Sequence, residues 1–513
     1  MALYLPPTTS NMADWVRKVA TAVNFLLRGS SFAYSEETPA ASFFKAADFF
    51  LPSNFAVTIN DGGPDSPSYA TPSHSAQDVF DTLSTARTAP GLTYWVDPQN
   101  GNDTTGDGLS EATAWMSITK ATSAAISAGQ SVKIMLRGIG SSDAGDPIKG
   151  FNFTSGSVSA LYDLTVDCCV IFYNGASVLG VHNNYAAPSL HTGASYTYSI
   201  SNTLADNVID LSDVDSYSIP KAMTYVPFVA SGDIPPGCWA YNDSTVLIRR
   251  TNNGVVTNDI CRILEAAPNV RTTNNISLGF FPQTDADTLR IYGGGSVNGA
   301  FDINIPSSVT DLTPRAVCAK NVTCINYGFV SSGAGRCWSI DGLHGIAYLQ
   351  NCAGFNARTD AFNFHNTRGL TVSGVKTRIL TVNCISRDCG ADVRAMGASN
   401  FISNNGHTLH DDVMGVDYGG DYRNASGGCV LNIGTSKSLY VGTLAHDRGD
   451  RWLGSTTYPT GFRSQDSAEI YCYKTKVPFS TSPAIDYHVG GGAIYQRDCW
   501  PSHGGTFGAL SKW

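Results

Sequence analysis

The side chains best suited to chemistry are concentrated between residues 358 and 452. This part of the chain contains four of the ten histidines, together with aspartates and arginines, in the runs RTDAFNFHNTR, NNGHTLHDDVMGVDYGGDYR and AHDRGDRW. Glycoside hydrolysis needs two carboxyl groups flanking the scissile bond, about 5 Å apart for retention and about 6.5–9.5 Å apart for inversion. The candidate catalytic residues are Asp360, Asp411, Asp412 and Asp447.

The same segment carries side chains suited to holding a sugar polymer. Imidazole groups can bind hydroxyls, guanidinium groups can hold acidic sugars, and aromatic rings can stack on sugar rings. The candidate substrate-binding residues are His365, His410, Tyr418, Arg448, Arg451 and Trp452.

Other interpretations of this cluster stay open. Aspartate is common in tight turns, where its side chain satisfies backbone groups and tolerates unusual dihedral angles, so each carboxylate also has a structural interpretation. A polysaccharide lyase with Arg or His as the base is a further alternative. The sequence has no HExxH, facial-triad or EF-hand spacing and no GxSxG elbow, so neither a metal nor another cofactor is predicted.

Short apolar strands recur between Gly, Asn and Asp turns from about residue 91 onward. In three of them, VTCINYG, YLQNCAG and LTVNCIS, the residues Cys324, Cys352 and Cys384 occupy similar places. One coil of a parallel β-helix uses a little over twenty residues plus its loops, so these steps fit single coils, with the cysteines stacked inside. A chain of β-sandwiches would need hairpin turns at short intervals, and strong Asn-Gly hairpins are few.

The run YWVDPQNGNDTTGDG, residues 94 to 108, does not have the spacing of an EF-hand calcium loop. A strand precedes it, and an amphipathic helix follows, with Trp115, Ile118, Ala121 and Ala125 on one face and Gly129 at its end. A short helix at this place would cover the exposed end of a stack of strands. The pattern therefore predicts a capping helix near residues 111–128.

The run YWVDPQNGNDTTGDGLSEATAWMSITKA resembles the opening segment of right-handed parallel β-helix domains of the pectate-lyase-like superfamily. Many bacteriophage tailspikes and polysaccharide depolymerases begin in this way. DAFNFH and LHDDV are similar to the "DGFNYH" and "HDG" elements of one group of β-helix proteins, although Ala361 and Phe364 depart from that pattern. The resemblance implies an all-β, right-handed parallel β-helix and, because tailspikes with this fold are trimers, a homotrimer.

Neighbouring coils of such a solenoid lie about 4.8 Å apart, so sequence separation gives an estimate of distance. Asp360 and Asp411 are 51 residues apart, which suggests two coils and a separation of about 9 to 10 Å. Asp411 and Asp447 are 36 residues apart, which suggests one long coil and about 5 Å. Either pair would suit a glycoside hydrolase.

Four regions are expected along the chain. Residues 13–28 have the apolar spacing of a short coiled coil, with a helix docked on its own domain as the alternative. The resemblance to tailspikes implies that residues 1–34 form an N-terminal helical segment for virion attachment and trimerisation. Residues 35–90, rich in Pro, Ser, Ala and Phe, are predicted to be a neck or linker arm. The parallel β-helix spans 91–475, and 476–513 form a C-terminal segment.

The composition narrows the choice of partner. A net charge of −9 over 513 residues argues against nucleic acid. No apolar run has the length of a membrane span, and the first ten residues lack the features of a signal peptide, so assembly in a host cytoplasm is expected. The thirteen cysteines are expected to be reduced and mostly buried.

The leading hypothesis is a homotrimeric phage tailspike, carried on the virion by a tail or adaptor protein, that binds and cleaves a bacterial surface polysaccharide. The alternative is a non-catalytic virion fibre or decoration protein that acts as an adhesin or structural spike. A free bacterial lyase or hydrolase is less favoured, because no export signal is evident.

Overall fold

A computed structural model provides the coordinates of the protein. The structure describes residues 31–33, 44–63, 66–88, 91–97, 100–129, 132–137, 168–173, 177–179, 187–202, 205–214, 219–257, 260–265, 270–272, 277–281, 289–293, 299–326, 335–357, 359–387, 389, 405–423, 425, 428–446, 460–478, 485–500, 506–507 and 511–512. Among these residues, no helix combines the length and apolar character needed to cross a membrane.

Three parallel sheets form the body of the molecule, and between residues 277 and 465 the chain visits sheets I, II and III in that order in successive coils. Sheet I consists of Leu92–Val96, Val132–Arg137, Cys168–Tyr173, Ser277–Phe280, Arg315–Lys320, Gly345–Gln350, Thr377–Val382, Met414–Tyr418, Lys437–Val441, Glu469–Tyr473, Ala493–Arg497 and Ser511–Lys512. Sheet II consists of Ser177–Leu179, Leu289–Gly293, Val322–Asn326, Ala353–Phe355, Ile385–Arg387, Asp421–Arg423 and Leu444–His446. Sheet III consists of Val270–Thr272, Gly299–Asn304, Arg336–Asp341, Phe362–His365, Asn405–Leu409, Gly428–Asn432, Thr460–Gln465, Ile485–Gly490 and Thr506–Phe507.

Each strand pairs in parallel with the strand of the same sheet in the next coil, as Gly345–Gln350 does with Thr377–Val382. The protein is therefore an all-β parallel solenoid, as the strand pattern predicted. The right-handed winding, the trimer and the N-terminal helix stay predictions, and residues 13–28 lie outside the described part of the chain.

Alternate side chains point into the coil, where apolar residues of successive coils stack. In sheet III the ring centroids of Phe301 and Trp338 are 4.9 Å apart, and those of Trp338 and Phe362 are 6.2 Å apart. His407 continues this column at 6.1 Å from Phe362. The stacked rings form the centre of the apolar core.

The cysteine stack is only partly as predicted. Ala353 pairs with Ile385, so Cys352 and Cys384, which precede them, occupy the same position in successive coils. Cys324 pairs with Gly354 instead, two positions further along the strand. The difference arises because Cys324 lies within its strand while the other two lie before theirs. Eleven cysteines of the described residues are free thiols, and ten of them are buried.

Asparagines form the sharp corner between sheets I and II. Asn321, Asn351 and Asn383 have φ values of 55°, 53° and 52°, the left-handed conformation that Asn adopts more readily than most residues. The side chain of Asn351 donates to that of Asn321 at 3.1 Å, and Asn383 donates to Asn351 at 3.2 Å. This ladder repeats the same turn in three successive coils.

The loop after Leu92–Val96 is architectural. Asp103 accepts hydrogen bonds from the backbone N–H groups of Met116 and Ser117 at 2.9 and 3.0 Å. The indole N–H of Trp115 donates to the carbonyl of Gly106 at 2.8 Å. The acidic side chain therefore organises the chain around a buried tryptophan.

The helix predicted after this loop is present as α2, Ile118–Ala128. Ala121 and Ala125 are buried against the core, and Gly129 ends the helix in the left-handed conformation with φ 63°. The helix contacts Leu92–Val96, which is the edge strand of sheet I. The helix therefore lies at one end of the solenoid.

Residues 44–63 and 66–88, here called the arm, pack along the outer face of sheet I. This arm contains a 3-10 helix (Ala46–Phe49), two antiparallel strands (Val57–Asn60 and Tyr69–Pro72) and the helix α1 (Ala76–Thr88). A third strand, Ser31–Ala33, pairs with Val57–Asn60. Its buried side chains, among them Phe49, Ile59 and Phe80, share an apolar cluster with Tyr348, Val382 and Tyr471 of sheet I. The composition favoured a neck or a partner-bound arm; in the structure this segment is held by the chain's own solenoid.

Polar contacts fix the position of the arm. The amide of Asn383 accepts from the N–H of Ala70 and donates to its carbonyl, both at 2.8 Å. The Lys476 ammonium, which is fully buried, lies 2.6 Å from the Asp61 carboxylate and 2.8 Å from the carbonyl of Ser66. Lys476 thus joins the solenoid to the arm through a buried ion pair.

Replacement of Lys476 by Met is expected to loosen the arm. Breaking a buried ion pair leaves the other charge uncompensated, which costs about 3 kcal/mol. Hydrogen–deuterium exchange of the Val57–Asn60 strand should therefore accelerate. The matched control is Lys437→Met, because the ion pair of Lys437 with Glu469 is partly exposed and contributes about 1 kcal/mol or less. Equal exchange in the two variants would contradict the role of Lys476 in holding the arm.

A second β-structure, here called the insert, occupies residues 187–265 between a sheet II strand and a sheet III strand. It has a five-stranded and a three-stranded sheet, formed by Ser189–Leu190, Tyr198–Ser201, Ala205–Val214, Pro220–Ala222, Thr224–Tyr225, Cys238–Tyr241, Thr245–Arg249 and Cys261–Glu265. The sequence pattern predicted further coils here, because short apolar strands occur in both folds. Instead the strands are mostly antiparallel, and Ile209 and Ile219 pack against Phe355 outside sheet II.

Candidate functional site

The corner between sheets III and I brings together several of the predicted residues. Asp341 and His365 pair directly in neighbouring coils, and the pairing of Phe364 with Leu409 places His410 next in the same column. Phe362 and Phe364 are part of the core, so the next residue, His365, points outward. Asp411 follows His410 at the turn.

The two histidine rings lie face to face. Their centroids are 3.9 Å apart and the rings are 9° from parallel. Burial, together with the neighbouring His365 and Arg336, lowers the pKa of His410 to about 3. His410 is therefore neutral at neutral pH and can act as a hydrogen-bonding group without adding charge to the corner.

Asp411 lies beside this pair in a left-handed turn, with φ 57°. Its carboxylate is 3.7 Å from Nδ1 of His365. The nearby His365 side chain lowers the pKa of Asp411, and this effect outweighs partial desolvation. Asp411 is thus an ionised carboxylate at neutral pH, suited to the role of a base.

Asp341 reaches the same turn from the other side. Its carboxylate accepts from the N–H of Thr367 at 2.8 Å and from the Thr367 hydroxyl at 2.6 Å. Asp341 pairs with His365, and His365 lies one coil from His410, so Asp341 and Asp411 belong to coils that are two steps apart. Because neighbouring coils are about 4.8 Å apart, the two residues lie about 10 Å from each other. The inverting mechanism of glycoside hydrolysis uses carboxyl groups about 6.5–9.5 Å apart, close to this spacing.

Sequence reasoning missed Asp341. It ends the strand Arg336–Asp341, at the same place as His365 one coil later. Only the pairing of those two strands places Asp341 at the corner, because Asp341 lies outside the polar runs between residues 358 and 452.

Asp360 lies at the opposite end of its strand and is buried. Its carboxylate accepts from the N–H and the amide of Asn405, both at 2.9 Å, from the Thr408 hydroxyl at 3.3 Å and from Asn363 at 2.7 Å. Burial raises the pKa of Asp360, although Arg336 and these hydrogen bonds oppose the shift.

The expected distance between Asp360 and Asp411 is wrong. Asn363 pairs with Thr408, so a single coil separates positions 45 residues apart, and Asp411 lies six residues further along than Asp360 in the next coil. Six residues span about 20 Å in a strand. Asp360 is connected to the corner indirectly, through Asn363, whose amide nitrogen is 3.5 Å from Nε2 of His410. This position suits support of His410 better than contact with a substrate; a catalytic role for Asp360 stays a prediction.

The remaining predicted residues are dispersed. Asp412 is exposed and accepts from the amide of Asn366. Tyr418 lies on the outer face of sheet I, 7% exposed, in the apolar cluster beneath the arm, so its ring is covered and does not offer a platform for a sugar. Asp447, Arg448, Arg451 and Trp452 lie outside the described residues. No group of three or more metal-ligating side chains occurs within the part of the chain that the structure describes.

Comparison with known proteins adds little to this geometry. No family model matches the chain, and no curated protein matches it. A solved structure described as "Glycoside hydrolase" is similar with a TM-score of 0.36 and 8% sequence identity, over 81% of this chain and 97% of that chain. A likeness at that TM-score carries no conclusion about activity.

Proposed function

We propose that the protein is a bacteriophage tailspike that binds a bacterial surface polysaccharide at the Asp341–Asp411 corner and hydrolyses it. The observation that supports this proposal is the convergence of two carboxylates on the turn at His365 and Thr367, beside two stacked histidines. A glycan lying across this turn would have one carboxyl group on either side.

In this proposal the ionised Asp411 acts as the base and Asp341 as the acid. The acid protonates the oxygen of the leaving sugar, and the base activates a water molecule on the opposite face of the ring. A separation of about 5 Å would instead favour attack by the carboxylate itself. His365 and His410 hold hydroxyl groups of the sugar next to the turn.

The second candidate is a non-catalytic adhesin or structural spike. One observation favours it: the acceptor capacity of these aspartates is partly used within the fold, since Asp341 accepts from a turn amide and Asp360 accepts from four donors. Such carboxylates can serve the stability of the coils alone.

Incubation of the purified protein with surface polysaccharides from candidate host bacteria separates these functions. New reducing ends without the ultraviolet absorbance of unsaturated uronates would support the hydrolase. That absorbance would indicate a lyase, and binding without either product would indicate an adhesin.

The proposal includes a homotrimer that is assembled in the host cytoplasm and attached to the virion through residues 1–34. The coiled-coil spacing within 13–28 supports threefold association. Light scattering of the purified chain should give three times the mass of 54.5 kDa. A monomer at micromolar concentration would contradict this assembly.

A further inference from the structure

The insert is a folded unit added to one coil of a solenoid that does not require it. In a later coil the chain passes from Ala353–Phe355 of sheet II to Phe362–His365 of sheet III over a short connection. The insert has its own core, with Val208, Trp239 and Ile248 fully buried. Insertions in repeat proteins concentrate on loops of one face, which is often the binding face.

Exposed apolar side chains are concentrated on this insert. Among the described residues, eleven large apolar side chains are exposed, and five of them belong to it: Leu190, Tyr196, Val214, Tyr225 and Val255. Tyr196 is 45% exposed, and both its backbone and its ring are held in place, the first by hydrogen bonds and the second by a cation–π contact.

Asp233 fixes the backbone of the turn that carries Tyr196. Its carboxylate accepts from the N–H groups of Tyr196 at 2.9 Å, Thr197 at 2.8 Å and Ser195 at 3.1 Å, and from the Thr197 hydroxyl at 2.9 Å. Desolvation opposes ionisation, but these hydrogen bonds lower the pKa of Asp233 to about 2. The turn is therefore held by one ionised carboxylate at neutral pH.

Arg249 fixes the ring. Its guanidinium carbon lies 5.3 Å from the centroid of the Tyr196 ring, within the range of a cation–π contact. The guanidinium is itself anchored, because Nε donates to Asn253 and Nη1 donates to the carbonyl of Ile234, both at 2.8 Å. An exposed aromatic ring that is already ordered loses little conformational entropy when a ligand covers it.

We propose that Tyr196 and Arg249 form a second carbohydrate-binding site, separate from the Asp341–Asp411 corner. The C–H face of one sugar unit packs on the exposed tyrosine ring, and its hydroxyls accept hydrogen bonds from the remaining N–H groups of Arg249. The choice of a glycan as ligand rests on the proposed function; the location of the site rests on the geometry of the insert. The site holds the polymer without cleaving it.

The test measures binding of the full-length protein to immobilised surface polysaccharides from candidate hosts. Tyr196→Ala is expected to weaken binding at least about tenfold, whereas Tyr196→Phe, which keeps the ring, is expected to bind like the wild type. Tyr69→Ala is the matched control, because Tyr69 is 59% exposed on the arm. Arg249→Met removes the support of the ring and should weaken binding as well, and a thermal melt shows that each variant is folded.

The outcomes separate this site from the proposed hydrolase. Hydrolysis of short oligosaccharides should be unchanged in Tyr196→Ala, because they do not span both sites. Equal binding by the wild type and Tyr196→Ala would overturn the second site and leave the hydrolase intact. Binding that depends on Tyr196 without new reducing ends would support the second site and refute the hydrolase. A wild type that binds none of the polysaccharides would overturn both.

Discussion

Replacement of Asp411 by Asn is expected to leave polysaccharide binding intact and to lower the turnover of the proposed hydrolase by about 10²–10⁴-fold. Asparagine keeps the shape of the side chain but cannot accept a proton from water. The carboxylate is ionised at neutral pH, since its contact with His365 lowers its pKa, so the substitution removes a functioning base. The rate of appearance of reducing ends measures the loss.

Asp341→Asn should have a similar effect for a different reason. In the proposed mechanism Asp341 donates the proton to the leaving sugar, and an amide cannot do so at a useful rate. Because the two carboxyl groups act on one bond, the double variant should be little slower than either single variant. Additive losses would indicate that the residues do not act together.

Asp466→Asn is the matched control for these variants. Asp466 has the same left-handed conformation, φ 57°, as Asp411 and accepts from the N–H of Gly434, two coils further along the same corner. If loss of a turn carboxylate alone disturbed the solenoid, this variant would lose activity too. Full activity of Asp411→Asn, or equal loss in Asp466→Asn, would refute the assignment of Asp411 as the base and favour the adhesin.

Sequence reasoning identified the solenoid because its signal is repeated. Apolar strands between Gly, Asn and Asp turns occur in every coil, and the left-handed asparagines at 321, 351 and 383 show why those residue types mark the corners. The insert was missed because alternation of apolar residues does not distinguish a parallel strand from an antiparallel one.

The candidate site was only partly predictable. His365, His410 and Asp411 meet, because they follow strands that end at the same corner. The distance from Asp360 could not be read from sequence separation, since the length of a coil includes its loops. The arm was unpredictable for another reason: its apolar residues are too few for an independent core, and their partner, the outer face of sheet I, is distant in sequence.

The free energy of unfolding is expected to fall steeply as the pH drops from 6.5 to 5. Burial lowers the pKa of His407 to about 3, and burial with neighbouring charges lowers that of His410 to about 3. An unfolded histidine titrates near 6.5. Below that pH the unfolded chain binds protons that the folded chain does not, so stability is fully present above pH 6.5 and is lost as the pH falls toward 3. Each histidine contributes a slope that approaches about 1.4 kcal/mol per pH unit well below pH 6.5, which gives about 3 kcal/mol for both over this interval.

Two buried carboxyl groups act in the opposite direction. Burial raises the pKa of Asp360 and of Asp417, so their folded forms bind protons more readily than their unfolded forms. Their contribution to stability is present at low pH and is lost as the pH rises through the folded pKa. The total slope therefore mixes both kinds of group, and a variant is needed to isolate one histidine.

His407→Leu isolates the contribution of His407. This side chain lies inside the coil, against Phe362, Phe364 and Tyr422, and its Nδ1 is 2.9 Å from the Tyr440 hydroxyl. Leucine has no group to titrate, so a plot of the free energy of unfolding against pH should become shallower by about 1.4 kcal/mol per pH unit between pH 5 and 6. Chemical denaturation at several pH values measures the slope.

Tyr440→Phe is the control. It removes the hydroxyl partner of His407, which costs about 1 kcal/mol, but it retains the histidine. The slope of this variant should therefore equal that of the wild type. An unchanged slope in His407→Leu would show that this buried imidazole is protonated in the folded solenoid, and the neutral aromatic column through Phe362 and His407 would then be an incorrect description of the core.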